Sequence, residues 1–441
     1  MTTLHPFTRT CLAVAVSLLA GTALAQSPSD MLDELRQLRA EMRQMRQELD
    51  ALRQASIGRG AAGHGVREPE AAASTTSSTV AATSETSETR VNLFGYGELS
   101  YARPRQQAAD AVATARRGVL GFGYRFNERT RFAAELEIEN AVVSSGDRGE
   151  AAFEQLYVEH DITDRLTAKA GLFLLPIGYM NETHEPTRYY GVTRNLVETA
   201  IIPTTWREMG IGVQSTSEMG LRWNAGLVTS FDLTKWPTDS AETRESPLGA
   251  IHQEGQLAKA GSWAYYGALN YDGIPGFNVG GSVFSGGVAQ KQPIASPNAS
   301  VSLAELHAKW QVGRWDLAGL VAQGKFHQVS AFNATALTAG SNGINAVPDQ
   351  FRGWYAQAAY RLWRQGDYSL HPFARYERVN TALGFSGLPS GLGVPSDPDT
   401  RVMTWGASFY LHPQVVLKLD AQRYFNNSSL DRINLGVGFH Y

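Results

Sequence analysis

The acidic and basic side chains that could act on a solute are concentrated in one stretch, 175–209, which reads LPIGYMNETHEPTRYYGVTRNLVETAIIPTTWREM. It holds His184, Glu185, Arg188, Arg194, Glu198, Arg207 and Glu208. A His-Glu pair followed one helical turn later by a second His would bind zinc, but no second His follows His184-Glu185, and Pro186 sits where the helix would run. No metal or cofactor is expected. Gly121-x-Gly123 and Gly210-x-Gly212 lack the third glycine and the following helix of a phosphate cradle, and no nucleophile elbow appears, so enzyme activity is not expected either. Mixed charges on such a loop are suited to acting on a passing ion or solute through their field, without bond making.

The same stretch carries Ile177, Tyr179, Met180, Tyr189, Tyr190, Val192, Leu196, Val197, Ile201, Ile202 and Trp206, too many apolar groups to leave in water. It follows an alternating strand, Leu166 to Leu174, and precedes another, Gly210 to Ser217. If these strands belong to a barrel too wide for side chains to fill, the loop packs on the inner wall and narrows the channel.

From Val91 to Tyr441 apolar and polar residues alternate in blocks separated by short turns and long polar loops in turn, which predicts about sixteen antiparallel strands in a transmembrane β-barrel. In Thr130 to Asn140, Phe132, Ala134, Leu136 and Ile138 share one face, while Arg131, Glu135, Glu137 and Glu139 share the other. If the apolar face meets lipid, Glu135, Glu137 and Glu139 line the lumen beside Arg117 and Arg125 of the preceding strand. The final strand ends in Asn434, Gly436, Phe439 and Tyr441, the polar-x-Gly-x-x-apolar-x-aromatic spacing by which the outer-membrane barrel assembly machinery would recognise the chain.

The rest of the chain fits that reading. Residues 1–25 have the pattern of a secretory signal peptide, with an apolar run from Cys11 to Ala20 and a small-x-small site at Ala23-Leu24-Ala25. The single cysteine, Cys11, would leave with it, which excludes disulfides and thiol chemistry. Residues 26–55 repeat Met31, Leu35, Leu38, Met42, Met45, Leu49 and Leu52 at spacings of four and three, the seam of a self-associating periplasmic coiled-coil helix. Residues 56–90, rich in Ala, Ser, Thr, Gly and Glu, read as a flexible linker, and 91–441 as the barrel. A barrel tethering the outer membrane to the cell wall through its coiled coil is the alternative main role. A net charge of −3 gives no reason to expect a nucleic-acid partner.

Pro176-Ile177-Gly178, Asn181-Glu182-Thr183-His184-Glu185-Pro186, Gly191-Val192, Val197-Glu198 and Ile201-Ile202-Pro203-Thr204-Thr205-Trp206-Arg207-Glu208 with Gly210 resemble the third loop of the phosphate-selective porin O/P family of Gram-negative outer membranes. The resemblance covers the barrel's length and its C-terminal strand. It implies a homotrimer of 16-stranded barrels embedded in outer-membrane lipid, each with this loop folded into its pore and passing small ions and solutes, anions such as phosphate among them. Phosphate selectivity in the family rests on a ladder of arginines and lysines. Taking away the 9 Lys+Arg and 10 Asp+Glu that precede Val91 from totals of 39 and 42 leaves 30 against 32, so the barrel is close to neutral. The expectation is a general diffusion channel with modest ionic preference, in which charge reversal at Arg194 or Arg207 moves the reversal potential toward cations.

Overall fold

The computed structural model describes residues 90–441 apart from 145–148, 238–241, 338–344 and 392–397. The signal peptide, coiled-coil seam and linker lie outside the described residues. Seventeen strands follow in chain order: β1 (Val91–Pro104), β2 (Val112–Arg125), β3 (Thr130–Glu139), β4 (Glu150–Asp161), β5 (Leu166–Leu174), β6 (Arg207–Thr216), β7 (Leu221–Thr229), β8 (Trp263–Ile274) and β9 (Phe277–Gly287) form the first half. β10 (Ser300–Val312), β11 (Trp315–His327), β12 (Gln350–Tyr360), β13 (Trp363–Gln365), β14 (Tyr368–Leu383), β15 (Thr400–His412), β16 (Val415–Tyr424) and β17 (Arg432–His440) complete it.

Each strand pairs antiparallel with its sequence neighbour, and β1 pairs with β17, so the sheet closes on itself. The three-residue β13 continues β12 past a break at Arg361–Leu362, and both pair with β14. Together they fill one wall position, giving the sixteen positions of a closed antiparallel barrel. Closure satisfies every strand edge, which is what permits a sheet to stand in hydrocarbon. No described helix is long and apolar enough to cross a membrane.

The alternation sorts as the periodicity requires. On β3, Leu136 and Ile138 are exposed on the outside while Ala133 and Glu137 are buried inside. On β10, Ala304, Leu306 and Ala308 are exposed, and Val301, Leu303, Glu305 and His307 are buried between them. The barrel seam is set by the last residues of the chain. Phe439 lies opposite Gly97, and its ring occupies the space a Cβ at Gly97 would need, 2.3 Å from that position. The Tyr441 amide donates to the Gly95 carbonyl (2.9 Å) and the Gly95 amide donates back (3.1 Å). Deleting Tyr441 removes both seam bonds along with the terminal aromatic. The expected result is less heat-modifiable barrel in the membrane fraction at unchanged synthesis and export; equal amounts of folded barrel would refute it.

One boundary moves. The loop after β5 closes at Trp206, and Arg207 and Glu208, placed in the loop by the sequence, are the first residues of β6, opposite Leu174 and Phe173. The cause is local: the positive φ of Thr205 turns the chain back onto β5, so pairing begins as soon as a partner is present.

Candidate functional site

The segment between β5 and β6 leaves the wall through a pinched neck. The Leu175 amide donates to the Trp206 carbonyl (3.0 Å). Asn181 seals the pair: its amide group donates to the carbonyls of Leu175 (2.8 Å) and Trp206 (2.9 Å) and its carbonyl accepts from the Trp206 amide (2.8 Å). Beyond the neck the loop makes only one turn of π-helix, Val197–Ile201. Contacts with inward side chains of β1, β4, β12, β14 and β16 place it inside the barrel.

Its two faces bond differently. Ile177, Val197, Ile201, Ile202 and Trp206 pack with Phe231, Phe284, Phe351, Leu303 and Leu320 in one continuous apolar core, with Trp206 and Phe284 ring centroids 4.7 Å apart. That core seats the loop on the inner wall, chiefly from β7 to β14, and supplies the burial an otherwise irregular segment needs. Glu198 is embedded at its edge, accepting from the Met180 amide (2.6 Å), the Asn195 side chain (2.7 Å) and Tyr355 Oη (3.3 Å). Burial raises its carboxyl above the ordinary range despite these donors.

The other face is held by charges. Asp420 accepts from the Val192 amide (2.6 Å), Glu377 from the Leu196 amide (2.6 Å) and Glu98 from Tyr189 Oη (2.9 Å). Arg375 donates to the Tyr190 and Thr193 carbonyls (3.2 and 3.4 Å) while pairing with Glu377 at 3.0 Å. His184 is enclosed: Nε2 lies 2.7 Å from the Glu154 carboxylate and Nδ1 2.8 Å from the Asn181 carbonyl. Nδ1 faces a carbonyl and so carries a proton, and the Glu154 carboxylate beside Nε2 favours a second one there, which makes the ring an imidazolium. Burial opposes that charge, but the Glu154 carboxylate outweighs it and the His184 pKa is raised.

The expected site residues fall into three groups. Arg194 is buried, donating to Thr204 Oγ1 and to the His184 carbonyl, and so braces the loop. Arg207 pairs with Glu254 of the β7–β8 loop at 3.2 Å, and Glu208 accepts from Trp206 Nε1 (3.2 Å) and Thr229 Oγ1. These, with His184 and Glu198, are joined to the scaffold. On the wall, Arg117 gathers carboxylates: Glu139 at 3.2 Å, Glu137 at 3.4 Å and Glu98 at 3.8 Å. Glu135 lines a cavity with Glu182, His184 and Glu185, and Arg125 stands exposed at the turn end of β2. Arg188 is the one loop arginine that is exposed, and Glu185 is half-buried.

A second cavity, toward the β4–β5 and β6–β7 turns, shares Gln155, Tyr157, Leu174 and Glu182 with the first. It is lined with both signs of charge, Glu159, Asp164 and Glu182 against Arg165, Lys169 and Arg222. Lys169 pairs with Glu159 at 3.4 Å, and Arg131 bonds both Glu159 and Asp161 at 2.7 Å.

Sequence reasoning missed the wall partners Glu98, Glu154, Arg375, Glu377 and Asp420. A signal was there: Arg375 with Glu377, Lys418 with Asp420, and Glu305, His307 and Lys309 each recur at period two in an otherwise apolar strand.

A closed sixteen-position barrel with a loop folded across its interior is the architecture of an outer-membrane porin. The family model "Phosphate-selective porin O and P" matches residues 92–384, and the chain belongs to that family. A relative in Aquifex aeolicus (strain VF5), an uncharacterized protein, is 30% identical over 339 residues, covering 76% of this chain and 75% of the relative. Among solved structures, OmpF of Salmonella typhi in complex with daunomycin is similar in fold, with a TM-score of 0.54 and 12% identity over 80% of this chain and 97% of that one. The outer-membrane channel DcaP of Acinetobacter baumannii has a TM-score of 0.49 and 10% identity over 80% and 97%. The protein is an outer-membrane channel of the porin class.

Proposed function

We propose that the protein forms a water-filled channel for passive diffusion of small hydrophilic solutes and ions, anions such as phosphate among them, with modest ionic preference. It acts as a homotrimer in the outer membrane of a Gram-negative bacterium, with its N-terminal segment in the periplasm, and we assign it no catalytic step. The observation that carries this reading is the pairing of lumen charges: Arg117 with three carboxylates, Arg131 with two and Arg375 with one. A strict anion trap needs cations whose field is not already met by neighbouring carboxylates. Single-channel recording in a KCl gradient tests it. A small reversal potential is expected, whereas strong anion selectivity blocked by low phosphate would overturn the reading.

The burial of the loop arginines supports an unequal influence on ions. Arg194 and Arg207 are buried against partners, so their fields are largely met at source, while Arg188 is exposed. Charges within about a Debye length (~8–10 Å) of a narrow aqueous path act on every passing ion. Arg188→Glu should therefore move the reversal potential toward cations, and Arg188→Gln by about half as much. No shift in either variant would remove this segment from the conducting path.

A further inference from the structure

The outer face of β11, β12, β14, β15 and β16 carries a group of cations at the end with the long loops, the end that faces the cell exterior in such barrels. Lys325, Arg352, Arg378, Arg401 and Arg423 are all exposed there. Arg378 and Arg401 stand directly opposite each other on β14 and β15. Trp354 lies opposite Arg378, with Arg352 two residues closer to the loops, and Arg423 lies opposite Met403, next to Arg401 on the same face. Like charges directly opposite each other are destabilising. Asp399 answers them in part, accepting from Arg378 Nε (2.7 Å) and Nη2 (3.0 Å) and from Arg401 Nε (3.1 Å) and Nη2 (2.9 Å). One carboxylate between two guanidiniums leaves a positive charge over. With Asp349 counted as well, the group is five cations against two carboxylates, a net of +3 among the described residues. At the same end of β3, β4, β8 and β9 the exposed outward residues are Ile138, Phe153, Tyr265 and Ser285, none of them charged.

Two recesses adjoin this group. One, of about 270 Å³, is lined by Gln323, Arg352, Trp354, Arg378 and Asp399. The other, of about 420 Å³, is lined by Lys325, His327, Ser330, Asp349, Gln350 and Ser386. They meet where Gln323 Nε2 donates to Gln350 Oε1 (3.1 Å). The first presents guanidinium forks, the donor geometry that matches a phosphate. The second presents a mixed set of hydrogen-bond donors and acceptors, which suits the hydroxyls of a sugar. Toward mid-wall the face turns apolar with Val321, Trp354, Tyr376 and Trp405, the Trp354 and Tyr376 ring centroids 5.5 Å apart. Aromatic residues of this kind mark the level at which hydrocarbon gives way to headgroups. The cations therefore stand at headgroup height, above a surface for acyl chains.

We propose that this face binds a lipid of the outer leaflet whose head is a phosphorylated sugar. Its phosphate lies among Arg352, Arg378 and Arg401, its sugar hydroxyls enter the recess beside Lys325, and its acyl chains run down over Trp354 and Tyr376. A lipid rather than a free anion is indicated because these arginines lie outside the lumen and over an apolar wall. The test uses the full-length protein in detergent, with bound lipid detected by native mass spectrometry and affinities taken from titration. The probes are bis-phosphorylated lipid A, its dephosphorylated form, phosphatidylglycerol and inorganic phosphate. Wild type is expected to retain bis-phosphorylated lipid A and to bind the dephosphorylated form about tenfold more weakly or worse, a comparison that needs no variant. A basic group at a lipid surface contributes about fivefold, so the triple variant Arg352→Gln, Arg378→Gln and Arg401→Gln, once its heat-modifiable barrel matches wild type, should bind about a hundredfold more weakly. Arg125→Gln, at the turn end of β2, should bind as wild type does. Equal binding of the two forms of lipid A, or equal binding by the triple variant and wild type, would overturn the proposal. Phosphatidylglycerol held as tightly as lipid A would show a phosphate site without sugar recognition and overturn the glycolipid assignment. Displacement of lipid A by inorganic phosphate would show a free-anion site and overturn the lipid itself.

Discussion

Replacing His184 with alanine is expected to destabilise the folded barrel by about 3–5 kcal/mol, the range for removing one partner of a buried ion pair. The reason is what it leaves behind. Glu154 is fully buried on β4, and its remaining hydrogen-bond donor is Tyr96 Oη at 3.5 Å. The loop also loses the point at which it is fixed to the β1–β4 side. Urea-dependent unfolding from vesicles should show the loss, and single-channel records should become noisier as the loop moves. Glu154→Gln removes the charge and keeps the shape, so the double variant should be less impaired than the sum of the two singles. Strict additivity would mean that the two side chains do not act as a pair.

The same pair gives a pH dependence with a definite sign. Glu154, Tyr96, Arg194 and Glu185 surround His184, and its pKa in the folded protein lies above its ordinary value. A raised pKa means stability that is fully present below about 6.5, the value of a free imidazole, and lost as pH rises through the folded value. Wild-type channel noise should therefore increase on the alkaline side, and that increase should be missing in His184→Ala. An acid-side increase abolished by the same variant would contradict the assignment.

Arg375→Met should be comparably damaging, again about 3–5 kcal/mol. Arg375 and Glu377 are 2% and 0% exposed, and the guanidinium is the donor shared by Glu377, Gln357 and the loop carbonyls of Tyr190 and Thr193. A methionine fills much of the same volume and donates nothing, so two loop carbonyls lose a donor and the buried Glu377 carboxylate loses its counter-charge, keeping only the Leu196 amide (2.6 Å) and Thr404 Oγ1 (3.5 Å). Arg375→Lys should recover only part of the loss, because one ammonium cannot reach acceptors spread across a fork. The midpoint of heat-induced unfolding on denaturing gels reads both effects. A lysine variant equal to wild type would show that charge alone matters here.

The barrel was legible because its cause is local and repeated. Alternation at period two, short turns and a patterned last strand each follow from lipid on one side and water on the other, and they are written residue by residue from Val91 onward. The strand ends were less so, since pairing stops where partners stop: β14 runs on to Leu383 and β6 starts at Arg207. The loop's inward course was also foreseeable, because so many apolar groups in an irregular segment must find a surface. Which of its charges are braces was not. Arg188, Arg194 and Arg207 are alike in sequence, yet one is exposed, one bonds its own loop and one pairs with Glu254 of another loop. Those outcomes depend on contacts between residues far apart in the chain, such as His184 with Glu154 and Tyr190 with Arg375, and only the closed barrel brings them together.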